Sequence, residues 1–505
     1  MSTLNKNALK NTVSCALFLV ILFNLFCNIT WLFRGNGTEA REDIQGFKNR
    51  NDIDVVMLGG STALRYYNPL QAWKEKGITA YNYATSWGKF DLLKDYIEDS
   101  RKTNEAQLYV VNVRTIALLT PELHEQSLRN WSDSLDPTSL VRVQGINDFV
   151  FPREWDYDSL PSFYFDIIKY HSNREALASE SQWSFLDPGT IQNLDKGFAP
   201  YTENRLYNKL QWGDQRGKLS DLQNSALQKM LDYCDREKIQ VLFVCCPFIY
   251  SDEDTGVINT CGDIISQRGY AYLNCNEHVD EMGIDYLTDF NDSNHVNYNG
   301  AVKYTRYLTE YMASHFDLTD HRGDPEYSQW DEDYEAFLPT MKKYETTVAA
   351  RVKEKTRIRD LEKTLKEETD FYGWYSKIRD KYTTVIIRMK KIPKNLPSDN
   401  VMFHFMKEYS ISPTGDSYVG IWTNKKAVVS KYNDLSAYAE IGSFMAQREK
   451  VSILAETGDI HIGEADYTIP NADIQIIVFN RTYNKVIDSI AVTVKGEHSV
   501  VMRRK

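Results

Sequence analysis

Hydrophobic positions follow three regimes along this chain. The first is one continuous block: residues 13–33 carry no charge and only short polar interruptions such as Asn24, Asn28 and Thr30. A stretch of that length can span a bilayer core as a helix. The second regime alternates short apolar runs with amphipathic ones. Residues 53–58 read as a buried strand that runs into Gly59-Gly60-Ser61, and further strands are predicted at 79–83, 108–113, 241–246 and 270–273. Residues 88–101, 222–237 and 300–315 have helical spacing between or after them. Strands alternating with helices predict a three-layer α/β fold around a parallel sheet over residues 47–320. A long aromatic-rich insertion, 115–218, interrupts it. The third regime begins with a charged, helical segment, 335–392, in which Val348, Val352, Ile358, Leu361 and Leu365 form a rough apolar stripe. This segment reads as a solvated spacer or a hairpin packed on the core, with a partner-binding coiled coil as the alternative. Residues 398–505 then turn to short alternating strands, among them 417–422, 450–455, 474–480 and 486–494, separated by turn clusters. They predict an all-β, sandwich-like module.

Charge places the first block. Lys6 and Lys10 precede it, while Arg34 is followed by Glu39, Glu42 and Asp43. That asymmetry predicts a cytoplasmic tail, 1–12, a transmembrane helix, 13–33, and an exported body lying outside the cell membrane. A cleaved signal peptide is the alternative, but the apolar run is longer than a typical signal core and no small-x-small site follows it. The linker to the first strand, 35–50, is polar. The net charge of −11 leaves no basic stripe, and so no argument for nucleic-acid binding. The seven cysteines form no zinc-type spacing and most read as small core hydrophobes, with a Cys261–Cys275 disulfide left open. No metal cluster and no phosphate-cradling loop is predicted, so no cofactor is expected. Aromatic residues make up 13% of the chain, including 32 Tyr and 10 Trp, a surplus that suits both cores and platforms for flat ligands such as sugar rings.

Two polar segments carry candidate chemistry. A strand ending in Gly-Gly-Ser places Ser61 at the carboxyl edge of the sheet, where the crevices of open α/β folds form. The glycines permit a tight turn. The second segment, 289–300, holds His295 in a polar loop before a helix. Asp292 stands three residues earlier, so one turn can bring its carboxylate to the far imidazole nitrogen. A base that activates a serine needs such a partner to fix its tautomer and stabilise the imidazolium. Asp289 is the alternative partner, and a capping aspartate in an ordinary loop is the bland reading. Serine after the first strand and Asp-x-x-His after the last place all three residues on one edge of one sheet.

At these residues the sequence resembles the SGNH (GDSL-like) hydrolase superfamily, and more closely its membrane-anchored acyltransferase branch. That branch includes alginate O-acetylation proteins and the D-alanyl transfer protein of teichoic acid modification. The likeness covers about residues 50–320. It rests on Leu58-Gly59-Gly60-Ser61-Thr62 with Asn68-Pro69, Tyr81-Asn82-Tyr83-Ala84, Val244-Cys245-Cys246-Pro247, and Asp292-Ser293-Asn294-His295-Val296-Asn297 leading into Gly300-Ala301. The resemblance implies Ser61 as nucleophile, His295 as general base and Asp292 as its orienting group. It also implies a surface polysaccharide acceptor and a multi-pass membrane acyltransferase as partner. The Gly-x-Asn-Asp motif of the hydrolytic members is missing, since the third strand ends Val111-Asn112-Val113-Arg114-Thr115. Oxyanion stabilisation is then expected from the Ser61 backbone N–H with Ser86 or Gly88, or from Arg114, for which a surface salt bridge is the alternative. The expected function is transfer of an acyl group, with acetyl the first candidate, onto a cell-surface polysaccharide. An exported carbohydrate esterase is the first alternative. A weakly active glycan-binding scaffold is the second, and it predicts that Ser61, Asp292 and His295 do not converge. The stretches 472–480 and 486–490 faintly resemble a β domain of the interleukin-like inducer type.

Overall fold

Five short segments of the α/β region are apolar on both faces, and burial on both faces is what a parallel sheet covered by helices requires. In the computed structural model these are β1 (Val55–Gly59), β2 (Ala80–Ala84), β3 (Leu108–Asn112), β4 (Val241–Cys245) and β5 (Ala271–Asn274). The structure describes residues 3–34, 38–178, 183, 188–378, 382–442, 449–481, 485–496 and 499–504. The five strands form one sheet in the order β2-β1-β3-β4-β5, and every pairing is parallel. The chain leaves β1 for β2 on one side and then returns to β3 on the other. That reversal opens a crevice at the carboxyl ends of β1 and β3. Each predicted strand is present to within two residues at either end.

Two compact units divide the chain, Met1–Lys353 and Glu354–Lys505. In the first, the insertion between β3 and β4 contributes the helices Glu125–Ser132 and Leu140–Val150. Its Trp131, Phe149 and Phe163 are buried in the same core as the sheet, so these rings pack the fold and do not face a ligand. Phe151 and Trp183 are exposed, and Phe185 lies outside the described residues. All seven cysteines are free thiols, Cys261 and Cys275 included.

The N-terminal apolar helix is longer than the sequence predicts. It runs Thr3–Trp31, and its stretch Ala8–Trp31 contains an 18-residue window of mean hydropathy 2.2 and is long enough to cross a membrane. Side chains from Ala8 to Phe26 are exposed, whereas Cys27, Trp31 and Leu32 are buried. The predicted polar linker is largely a helix, Thr38–Lys48, because Ile44 and Phe47 are wholly buried against the core. Between the two helices Arg34 is also buried. It forms an ion pair with Asp166 at 2.9 Å and donates to the carbonyl oxygens of Asp133 and Leu135. Arg142 reaches the same Asp166 carboxylate at 3.2 Å. Burial, then the neighbouring Arg34 charge, pulls the Arg142 guanidinium down to about 10.

The second unit is built on antiparallel strands: β6 (Thr383–Met389), β7 (Tyr418–Thr423), β8 (Lys426–Tyr432), β9 (Ala437–Ile441), β10 (Glu449–Ile453), β11 (Ile460–Ile462), β12 (Ala465–Asp466), β13 (Ile474–Asn480), β14 (Lys485–Lys495) and β15 (Ser499–Arg504). They form a six-stranded sheet, β15-β14-β13-β6-β7-β8, and a four-stranded sheet, β12-β11-β10-β9. Ile386, Ile421, Ile477 and Phe479 pack one face of the larger sheet onto Val451, Ile453 and Ile460 of the smaller. Val385, Ile387, Ile476 and Val478 pack the other face onto Trp374, Met402 and Phe405 of short helices. The predicted helical segment, 335–392, needs correction on two points. The helix Ser328–Glu367 begins earlier and contains Pro339, and Thr383–Met389 is a fully buried strand inside the larger sheet. The predicted all-β module likewise includes a helix, Val401–Glu408.

Candidate active site

Ser61 is the first residue of a short helix, Ser61–Tyr66, that follows β1 directly. Its backbone N–H therefore has no acceptor within the helix. Two glycines make the turn possible. A Cβ on Gly60 would meet the Gly88 carbonyl oxygen at 2.8 Å, and one on Gly88 would meet the Gly59 oxygen at 2.9 Å. The loop after β2 thus lies directly against the turn that carries Ser61.

His295 arrives from the other end of the fold. Phe290 and Val296 pair as an isolated antiparallel bridge, and the Asn291 N–H donates to the His295 carbonyl at 2.9 Å. This hairpin ends at Asn297, whose side chain caps the helix Tyr298–His315 by accepting from the N–H groups of Asn299 and Gly300. The loop projects the imidazole at Ser61, with Ser61 Oγ 2.7 Å from His295 Nε2. On the far side Nδ1 lies 3.0 Å from Asp292 Oδ1 and 3.2 Å from Oδ2. Burial alone would raise the Asp292 carboxyl. The hydrogen bond and charge of His295, the Asn294 N–H and the Asn291 amide outweigh it and hold the group at about 2. An ionised Asp292 accepts the Nδ1 proton, which leaves Nε2 with its lone pair toward the serine hydroxyl. The three residues expected from the sequence are therefore one hydrogen-bonded chain, and the separation that a non-catalytic scaffold predicts is not observed. Asp289, the alternative partner, is 1% exposed and instead accepts from Lys303 Nζ at 2.6 Å.

The oxyanion candidates have different surroundings. Gly88 packs on Gly60, while its N–H donates to the Thr85 carbonyl at 3.1 Å. Ser86 lies in the same turn, and its carbonyl accepts from the Asn130 amide at 2.7 Å. Arg114 is not on the surface. It is 5% exposed, lies over the Phe248 ring at 4.3 Å, and donates through Nη2 to the Asn294 side-chain oxygen at 2.6 Å. The surface salt bridge is thus replaced by a buried clamp on the loop that carries His295.

Three further residues, to which the sequence reading gives no role, bear on the site. The Tyr66 hydroxyl stands between the carbonyls of Pro247 and Asn294, at 2.8 and 3.0 Å, and accepts the Val296 N–H. Full burial pushes this phenol well above its ordinary value, so it remains a neutral donor. Asn112, at the end of β3, donates to Thr62 Oγ1 at 3.0 Å and accepts the Arg114 N–H at 3.0 Å. Tyr201, from the insertion, presents its ring edge-on to His295 with centroids 5.1 Å apart. An asparagine closing an apolar strand is a visible oddity in the sequence. The other two acquire meaning only from partners far away in the chain.

The chain matches no protein-family model and no curated protein. The chemistry therefore rests on the side chains themselves. Among the described residues no group of three or more His, Cys, Asp and Glu is placed to hold a metal ion. What the arrangement can do is move a proton from a serine hydroxyl to an imidazole backed by a carboxylate.

Proposed function

We propose that the chain is an SGNH-type serine acyltransferase that transfers an acyl group, acetyl in the first instance, onto a cell-surface polysaccharide. The observation that carries this reading is the Ser61–His295–Asp292 chain at the carboxyl edge of a parallel sheet. In the proposed reaction His295 Nε2 takes the Ser61 proton as Oγ attacks the acyl carbonyl of a donor. Asp292 stabilises the imidazolium, which then returns that proton to the leaving group and leaves an acyl-Ser61 ester. A sugar hydroxyl next gives its proton to Nε2 and attacks the ester, and Ser61 recovers its hydroxyl. An acceptor hydroxyl held where water would otherwise sit decides transfer over hydrolysis.

The apolar helix Ala8–Trp31 supports a membrane location for this activity. In this reading the N-terminus is cytoplasmic and the α/β unit faces outward. The acyl donor is handed over by a multi-pass membrane acyltransferase. Replacing Ser61 with Ala tests the proposal. The O-acyl content of the surface glycan should fall to background at normal protein level, and unchanged content would overturn it.

One observation favours the esterase as a second reading. The His295 side chain is 14% exposed, so water can reach the imidazole. Acetate release from an acetylated glycan, with no transfer to added oligosaccharide, would select the esterase.

A further inference from the structure

Trp87 combines two unfavourable features at one residue. It is 62% exposed, and its φ of +65° lies in the left-handed region, which bulky side chains rarely adopt. An exposed indole forgoes the benefit of burial, and a left-handed backbone costs stability. Such departures persist where the surroundings enforce them, and they cluster at functional sites.

The surroundings do enforce this one. The indole stacks on the His124 imidazole, with centroids 5.3 Å apart and planes 22° apart. His124 is itself fixed, because its Nδ1 accepts the Ser127 N–H at 3.2 Å and lies 2.8 Å from the Ser127 hydroxyl. Asn130 holds the preceding carbonyl, that of Ser86. Lys89, two residues after Trp87, donates to the Leu118 carbonyl at 3.0 Å. The result is a flat aromatic face with one side backed by His124 and most of its area open to solvent.

Its position relative to the nucleophile is set by the glycine contacts. Gly88 touches Gly60, and each is bonded to one of the two residues in question. The Cα atoms of Trp87 and Ser61 are therefore no more than about 12 Å apart. One or two sugar rings cover that distance. The axial C–H groups of a pyranose ring present an apolar, slightly positive face, which matches the negative face of an indole.

We infer that Trp87, backed by His124, is a binding platform for a pyranose ring of the glycan acceptor next to Ser61. This inference rests on the acyl-transfer reading for its biological meaning, but binding is measurable without turnover. The experiment uses the full-length chain in detergent micelles carrying Ser61→Ala, with indole emission titrated by cellohexaose and by chitohexaose. At least one sugar should give a saturable change. Trp87→Asn should weaken it at least tenfold, because asparagine tolerates the left-handed backbone while removing the ring. Trp87→Phe should retain part of the response. Phe151→Ser, which alters an exposed ring of the insertion, should retain all of it. No response to either sugar, or an equal response in Trp87→Asn, would overturn the platform. A missing acyl-enzyme burst with an aryl acetate in the Ser61 protein would count against the acyl-transfer reading alone and leave the binding result standing.

Discussion

Polar side-chain networks occur in both units of this protein, and two of them end in opposite ways. In the second unit Arg388 is wholly buried and donates to the carbonyls of Gly458 and Ala472 and to Gln475. Gln475 in turn donates to the Tyr467 carbonyl and to Ser489. That network turns inward and joins strands and loops. In the first unit the polar chain Asp292–His295–Ser61 ends on a hydroxyl at the sheet edge, and its neighbours Tyr66, Asn112 and Arg114 hold the loops around it. Buried polarity alone therefore does not mark an active site. A polar chain becomes a candidate for one when it ends on a nucleophilic atom at the edge of the fold.

The sharpest way to break this contrast is Ser61→Ala. Hydrolysis of an aryl acetate by the purified protein should fall by about 10⁴-fold or more, with the melting temperature unchanged. Retained turnover would remove the distinction between the two networks. Asp292→Asn should come next, with a loss of about 10³-fold in kcat, because the amide favours the wrong imidazole tautomer. Arg388→Met should do the reverse. It strands buried carbonyls and should lower the unfolding free energy by about 3 kcal/mol in denaturant titrations while leaving aryl acetate turnover per folded molecule intact. Arg114→Lys keeps the charge but loses the fork that holds Asn294, and should lower kcat by about tenfold. The smallest effect is on pH dependence. The Asp292 carboxyl sits at about 2 in the folded protein against an ordinary 3.8. The unfolded chain therefore binds more protons between those values, and the stability this group supplies above pH 4 is lost as pH falls through 2. Melting curves of Asp292→Asn should lack that component of the acid limb.

The sequence discloses the parallel sheet because each strand is apolar on both faces and is closed by a turn signal. Ser61 and His295 are legible for the same reason, since the ends of those strands define an edge. Other features depend on distant partners and are not legible locally. Thr383–Met389 adjoins a run of Lys and Arg, which disguises a strand whose burial comes from β7 and β13 on either side. The helix Thr38–Lys48 looks like a linker because only Ile44 and Phe47 are apolar where it meets the core. Arg114 reads as readily as a surface cation or an oxyanion donor. Its burial comes from the Asn294 loop, 180 residues later.

The junction at Arg34 has a mechanical consequence. The apolar stretch Ala8–Trp31 has 24 residues, a helix of about 36 Å against a hydrocarbon layer of about 30 Å. Its last turn is already inside the folded unit, and the Arg34–Asp166 pair pins the chain just beyond that turn. If this helix lies in a bilayer, the unit has a splint rather than a leash. The serine then works at one fixed height above the lipid. Under the proposed function a glycan strand would be reached only where it passes through that plane, and anything delivering an acyl group would have to meet the serine there.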